Sequence, residues 1–207
     1  MELIMKTKHA IRLGLGLSIF ALGLSIGSIQ ADNFHYEIHL TTRLLANAEG
    51  RLAALDMNWE YDPQVSAILL EGEDLSPDKA AATLYSKARL IMEDLHVLGY
   101  FTQLSLDELP QRIKRVEDYE AKLNEQGGIA LRFRLDLETP LAVKGHKLAI
   151  TLADYDGAAL IAYRGSRDIT VDAVLQQQCT MPLISEAVVN LPNGHTPTVQ
   201  TVHLDCT

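Results

Sequence analysis

Positive charge is scarce in this chain of 207 residues, with 18 Lys and Arg against 27 Asp and Glu, and sulfur is scarcer, with two cysteines. The shortage of basic residues argues against a nucleic-acid partner, because neutralising phosphates takes a basic surface. Neither Cys179 nor Cys206 stands in a Cys-x-x-Cys spacing or beside a histidine. A zinc or redox centre built on thiolates therefore has no support. Beyond the first 31 residues there is no Gly-x-Ser-x-Gly elbow, no His-Glu-x-x-His pair and no glycine-rich phosphate loop. Those absences remove the common hydrolase and nucleotide-binding signatures and leave a non-enzymatic reading. Internal repeats and low-complexity tracts are missing as well.

What is present begins with a leader. Lys6, Lys8 and Arg12 precede an apolar run from Leu13 to Ile26, and small residues close it at Ala31. That order predicts a secretory signal peptide over residues 1–31, cut after Ala31, because the run is short for a spanning helix. No later segment approaches membrane length, so no membrane insertion is expected after cleavage. The mature chain, residues 32–207, has the size of one domain with a periplasmic location. Losing Lys6, Lys8, Arg12 and Glu2 takes the net charge from -9 to about -11.

Period-two alternation dominates the mature part. Ile129, Leu131, Phe133, Leu135 and Leu137 alternate with Ala130, Arg132, Arg134, Asp136 and Glu138, and Leu148, Ile150 and Leu152 repeat the pattern after Pro140 and Gly145. This predicts two half-buried strands paired as an antiparallel hairpin. Phe34, Tyr36, Ile38 and Leu40 form another apolar face, and Leu55, Met57, Trp59 and Tyr61 a third. Turn residues from Asn47 to Gly50 join these two as a hairpin that Pro63 ends. Residues 100–106, 113–123 and 158–163 are weaker strand candidates, the second of them charged enough for a sheet edge.

One helix is expected, over about residues 77–98. Ser76 suits its cap, Pro77 its first turn, and Ala81, Leu84, Ala88, Ile91, Leu95 and Leu98 give a single apolar stripe. The fold class is then mainly β: an antiparallel β-sandwich-like domain with one covering helix. A last hairpin is read from Met181–Asn190 and Thr198–Asp205 around Leu191-Pro192-Asn193-Gly194. With Pro192 and Asn193 at the turn centre, Ser185 would face Gln200 and Cys179 would face Cys206. An exported chain normally oxidises such a pair, so a Cys179–Cys206 disulfide is expected.

The strongest site candidate is His35, Glu37 and His39, which period two places on one side, with Asn33 at its start. Imidazoles and a carboxylate are ligands that zinc, nickel or cobalt would take, and a further ligand would come from His146, His195 or His203. The acidic groups Glu71, Glu73, Asp74, Asp154 and Asp156 read better as solvated loops. Trp59, Tyr61, Tyr100 and Phe101 read better as core than as a ligand groove. Glu93 and His96, on adjacent turns of the helix, are the one acid–base pairing the pattern offers.

Gly50-Arg51-Leu52 leading into Trp59-Glu60-Tyr61-Asp62, then Tyr100-Phe101-Thr102, Leu131-Arg132-Phe133 with Leu135 and Leu137 before Pro140-Leu141, Asp154-Tyr155-Asp156 and Cys179 follow a recognisable order. In that order the chain resembles a bacterial family known as domain of unknown function 1007, labelled the periplasmic component of an ABC-type transport system. Members usually begin the mature chain with His-Pro-His, where this sequence has Asn33-Phe34-His35. The calcium-loop-like run that many members carry is replaced here by the shorter Glu71–Ser76 segment. The resemblance implies a setting in metal-ion handling and an inner-membrane metal permease as partner. The expectation is a periplasmic accessory or substrate-binding component for a transition metal. The alternative is an envelope protein-interaction module with no small ligand.

Overall fold

The computed structural model describes residues 36–192, 194 and 196–207. The leader and its cleavage point, with Asn33 and His35, lie outside the described residues, as does His195.

Strand β1 (Tyr36–Ala46) turns Ile38, Leu40, Thr42 and Leu44 inward and Glu37, His39 and Arg43 outward, as its alternation requires. It pairs antiparallel with β2 (Leu52–Tyr61), setting His39 opposite Glu60 and Arg43 opposite Asp56. The Asn47 side chain closes the turn between them, its Oδ1 accepting from Glu49 N at 3.0 Å and Arg51 N at 2.9 Å. Gly50 sits there at φ +73°, with room for a Cβ limited by the Val174 side chain at 3.1 Å.

After β2 the chain forms a helix that the sequence reading missed. In α1 (Pro63–Leu69), Asp62 is the N-cap, its Oδ1 accepting from Gln64 N at 2.8 Å and Val65 N at 2.9 Å, and Pro63 takes the first position. The proline ends the strand and starts a helix in the same step. The expected long helix is α2 (Ala80–Val97), beginning three residues later than predicted. Ser76 contributes its carbonyl, which accepts from Lys79 N and Ala80 N, and its side chain makes no cap. The buried stripe is Leu84, Ala88, Met92 and Leu95, whereas Ala81 and Leu98 are exposed.

A 3-10 turn (Gly99–Phe101) leads into β3 (Thr102–Leu106) and β4 (Leu109–Gln111). Strands β5 (Tyr119–Leu123), β6 (Ile129–Leu141), β7 (Lys147–Leu152) and β8 (Ala159–Ala162) follow. The tail holds β9 (Ile169–Val171), α3 (Ala173–Gln176), β10 (Leu183–Val188) and β11 (Thr198–Asp205). One sheet runs β5-β6-β2-β1-β8, with β9 also on β1, and the other runs β10-β11-β7-β3-β4. The described residues share one core between these two antiparallel-rich sheets, a sandwich-like arrangement that is mainly β.

Three expectations are corrected here. β6 and β7 do not pair: β6 lies between β2 and β5, and β7 lies between β11 and β3 in the other sheet. Their one-sided apolar faces share one core, and Val143, in the connection between them, is buried in it as well. The outer pairings of β1, with β8 and β9, are parallel. The terminal hairpin is shifted by one residue, so that Ser185 faces Thr201. Its first strand ends at Val188 and its second begins at Thr198. The disulfide nonetheless forms, joining Cys179, beyond α3, to Cys206, past the end of β11. It stands outside the ladder, which starts at Leu183.

Trp59, fully buried, centres the core, stacked on Phe101 at 6.3 Å and edge-on to Phe133 at 5.1 Å. Tyr100 and Phe101 adopt left-handed backbone, φ 56° and 48°, which non-glycine residues rarely do. The Tyr100 hydroxyl anchors the turn, accepting from Val116 N at 2.9 Å and lying 3.2 Å from His96 Nδ1.

Candidate functional site

On the outer face of the first sheet, where β1 begins and β2 ends, a cavity of about 390 Å³ is lined by Glu37, His39, Glu60, Asp62, Asn124 and Arg164 among others. The β1–β2 register builds it, because pairing His39 with Glu60 puts both side chains on the solvent side of adjacent strands. Glu37 and Asp62 close the end. Asp62 N donates to Glu37 O at 3.2 Å, and Glu37 N donates to Asp62 Oδ2 at 3.3 Å.

The segment that brings Arg164 to the cavity also carries Asp168, 129 residues along the chain from His39. Asp168 ends a 3-10 turn (Ser166–Asp168), and its Oδ2 accepts from His39 Nε2 at 3.2 Å, Arg164 N at 2.7 Å and Gly165 N at 3.2 Å. Burial pushes the Asp168 carboxyl up. The His39 bond, the backbone donors and the imidazole charge together outweigh that and hold it below its ordinary 3.8.

With Nε2 engaged by a carboxylate, the other ring nitrogen of His39, Nδ1, is left on the side of Glu60. That atom is buried and has no hydrogen-bond partner, and Glu60 Oε2 stands 3.8 Å away, beyond bonding reach. A carboxylate that takes one ring N–H and thereby orients the other nitrogen is the arrangement metal-ligating histidines use. Among the described residues, no three His, Cys, Asp or Glu side chains are grouped so as to hold a metal ion by themselves.

Of the predicted ligands, the structure places Glu37 and His39 at this cavity. The further ligands suggested do not reach it. His146 is held by Asp107, Nδ1 to Oδ2, beside the β3–β4 turn, and His203 meets Ser185 at 2.8 Å on β10 and β11. His203 is on the opposite sheet, and His146 directly precedes β7 of that sheet. Glu60, Asp62 and Asp168 were missed. The β1–β2 register would have found Glu60, whereas nothing local marks Asp168.

Most of the remaining candidates have structural partners. Glu73 pairs with Lys87 and Asp74 with Lys79, each at 2.7 Å. Asp154 is buried and accepts from the backbone of Asp156, Ala158 and Ala159, which pins the turn before β8. Glu93 is bound by Arg89 at 2.8 Å while His96 faces Tyr100, so the two do not act as a pair. Among the described residues no helix is long and apolar enough to cross a membrane.

A family model described as a protein of unknown function, DUF1007, matches residues 26–189. No curated protein matches the chain.

Proposed function

Since the chain belongs to the DUF1007 family of proteins of unknown function, we propose that it is an exported accessory or binding component of a transport system, with a transition-metal ion as cargo. The observation that carries this reading is His39, whose Nδ1 is buried, unpartnered and oriented by Asp168 toward the carboxylate of Glu60. Glu37 shares the cavity, and His35, outside the described residues, is the remaining ligand by its period-two spacing in sequence. One or two imidazoles with carboxylates suit zinc, nickel or cobalt. An inner-membrane permease is the partner this reading implies, and the leader, read as a signal peptide, supports delivery to the periplasm.

The test is calorimetry with zinc, nickel and cobalt on the protein, on His39→Ala and on Glu60→Gln. Wild type binds about one ion, and each variant loses about tenfold or more in affinity while keeping its circular dichroism. Equal binding by all three proteins moves the site elsewhere. Binding by none favours the interaction-module reading, with no small ligand. An intact mass beginning at Asp32, from the periplasmic fraction, checks export.

A further inference from the structure

A second cavity, of about 330 Å³, opens between α1 and α2, and its walls are apolar where those around His39 are polar. Ile68 and Leu98 line it while remaining 58% and 44% exposed, so large aliphatic surface faces solvent at its mouth. The rings of Tyr36 and Tyr61 stack along one side with centroids 6.4 Å apart. Phe101 supplies another wall, brought there by the left-handed turn at Tyr100 and Phe101. Strain of that kind persists only where the surrounding structure holds it, and it gathers at ligand clamps.

One charged side chain lines this cavity, that of Asp94. Its carboxylate has no hydrogen-bond or ion-pair partner among the described residues, in contrast to the neighbouring Glu93, which Arg89 holds. An apolar recess walled by aromatic rings, with a single unpaired carboxylate, is complementary to an organic cation. The surplus of acidic residues in the chain favours the same sign of ligand.

We propose that this cavity binds a small alkylammonium ion. The hydrocarbon part lies against Ile68, Leu98 and the rings, and the ammonium sits beside Asp94 and over an aromatic face. Neither a neutral alcohol nor a carboxylate of the same length would satisfy both halves.

Trp59 is the sole tryptophan and stacks on Phe101, so its fluorescence reports occupancy directly. The protein is titrated with n-hexylammonium, 1-hexanol and hexanoate, and so are Asp94→Asn and Ile68→Gln, both at exposed helix positions. The expected result is saturable binding of hexylammonium about fivefold tighter than hexanol, with hexanoate weakest. Asp94→Asn removes the preference for the cation over the alcohol, and Ile68→Gln weakens both ligands. No saturable response, or equal affinity for cation and alcohol in wild type, overturns the proposal. So does concentration-dependent dimerisation that Ile68→Gln abolishes, since a second copy would then be the occupant.

Discussion

Gln200 and Tyr163 bind each other from opposite sheets: Tyr163 N donates to Gln200 Oε1 at 2.7 Å, and Gln200 Nε2 donates to Tyr163 O at 3.2 Å. The amide of a residue on β11 thus completes the backbone just beyond β8, a strand of the other layer. Gln200 is 5% exposed and Tyr163 3%, so water cannot replace either bond. Burial also pushes the Tyr163 phenol well above its usual range, and the hydroxyl stays a hydrogen-bonding group, 2.7 Å from Thr42 Oγ1.

Replacing Gln200 by Leu should therefore cost about 3 kcal/mol, because it strands a buried donor and a buried acceptor on one residue. Urea unfolding measures it. A loss no greater than that of an exposed substitution would mean that the two sheets do not depend on this link.

Ser66→Ala should cost about 2 kcal/mol by a related route. Ser66 is fully buried. Its hydroxyl donates to Asp62 O and accepts from Ile129 N, both at 2.8 Å, which ties the first turn of α1 to the start of β6. Hydrogen exchange at the Ile129 amide should accelerate in the variant, and unchanged protection there would rule the tie out as a source of stability.

Reduction of Cys179–Cys206, 27 residues apart in sequence, should lower stability by on the order of 3 kcal/mol. For a domain of this size that corresponds to a melting temperature lower by about 10 °C. The scan is compared with and without a reductant, and two coincident curves would contradict the expectation.

Asp168 gives a pH dependence with a definite sign. Its carboxyl is held below the ordinary 3.8 in the folded protein, so the stabilisation is complete above that value and is lost as pH falls below it. Asp168→Asn should flatten the acid limb of the stability curve and leave the alkaline limb alone. If His39 is a metal ligand, the same variant should also weaken metal binding by about tenfold, because the ring loses its orienting carboxylate. An acid limb as steep as that of wild type would exclude the Asp168 contribution.

The hairpin of β1 and β2 was legible because strict alternation fixes which side chains point inward, and Asn47 to Gly50 fixes where the chain turns. Alternation is silent about partners. Leu131 and Phe133 demanded burial, but nothing in their pattern distinguished lying beside Ile150 in one sheet from sharing a core with it across two. The fold takes the second course, with β6 and β7 in different layers. The helix α1 was lost because it has only seven residues and opens with Asp62-Pro63, which also reads as a strand end. At the candidate site, His39 and Glu37 were visible as period-two neighbours, while Asp168 reaches His39 only through tertiary structure.

The parallel pairing of β1 sets the order in which this molecule assembles. Tyr36 aligns with Ala159 and Thr42 with Ile169, so the first strand of the domain waits for residues more than a hundred positions away before its second edge is closed. Such distant closures are entropically costly and slow. A chain emerging from its N-terminus can zip β1 to β2 early, yet it carries an open edge until about four-fifths of its length has been made. The contact between His39 and Asp168 can likewise form only once that distant segment is in place.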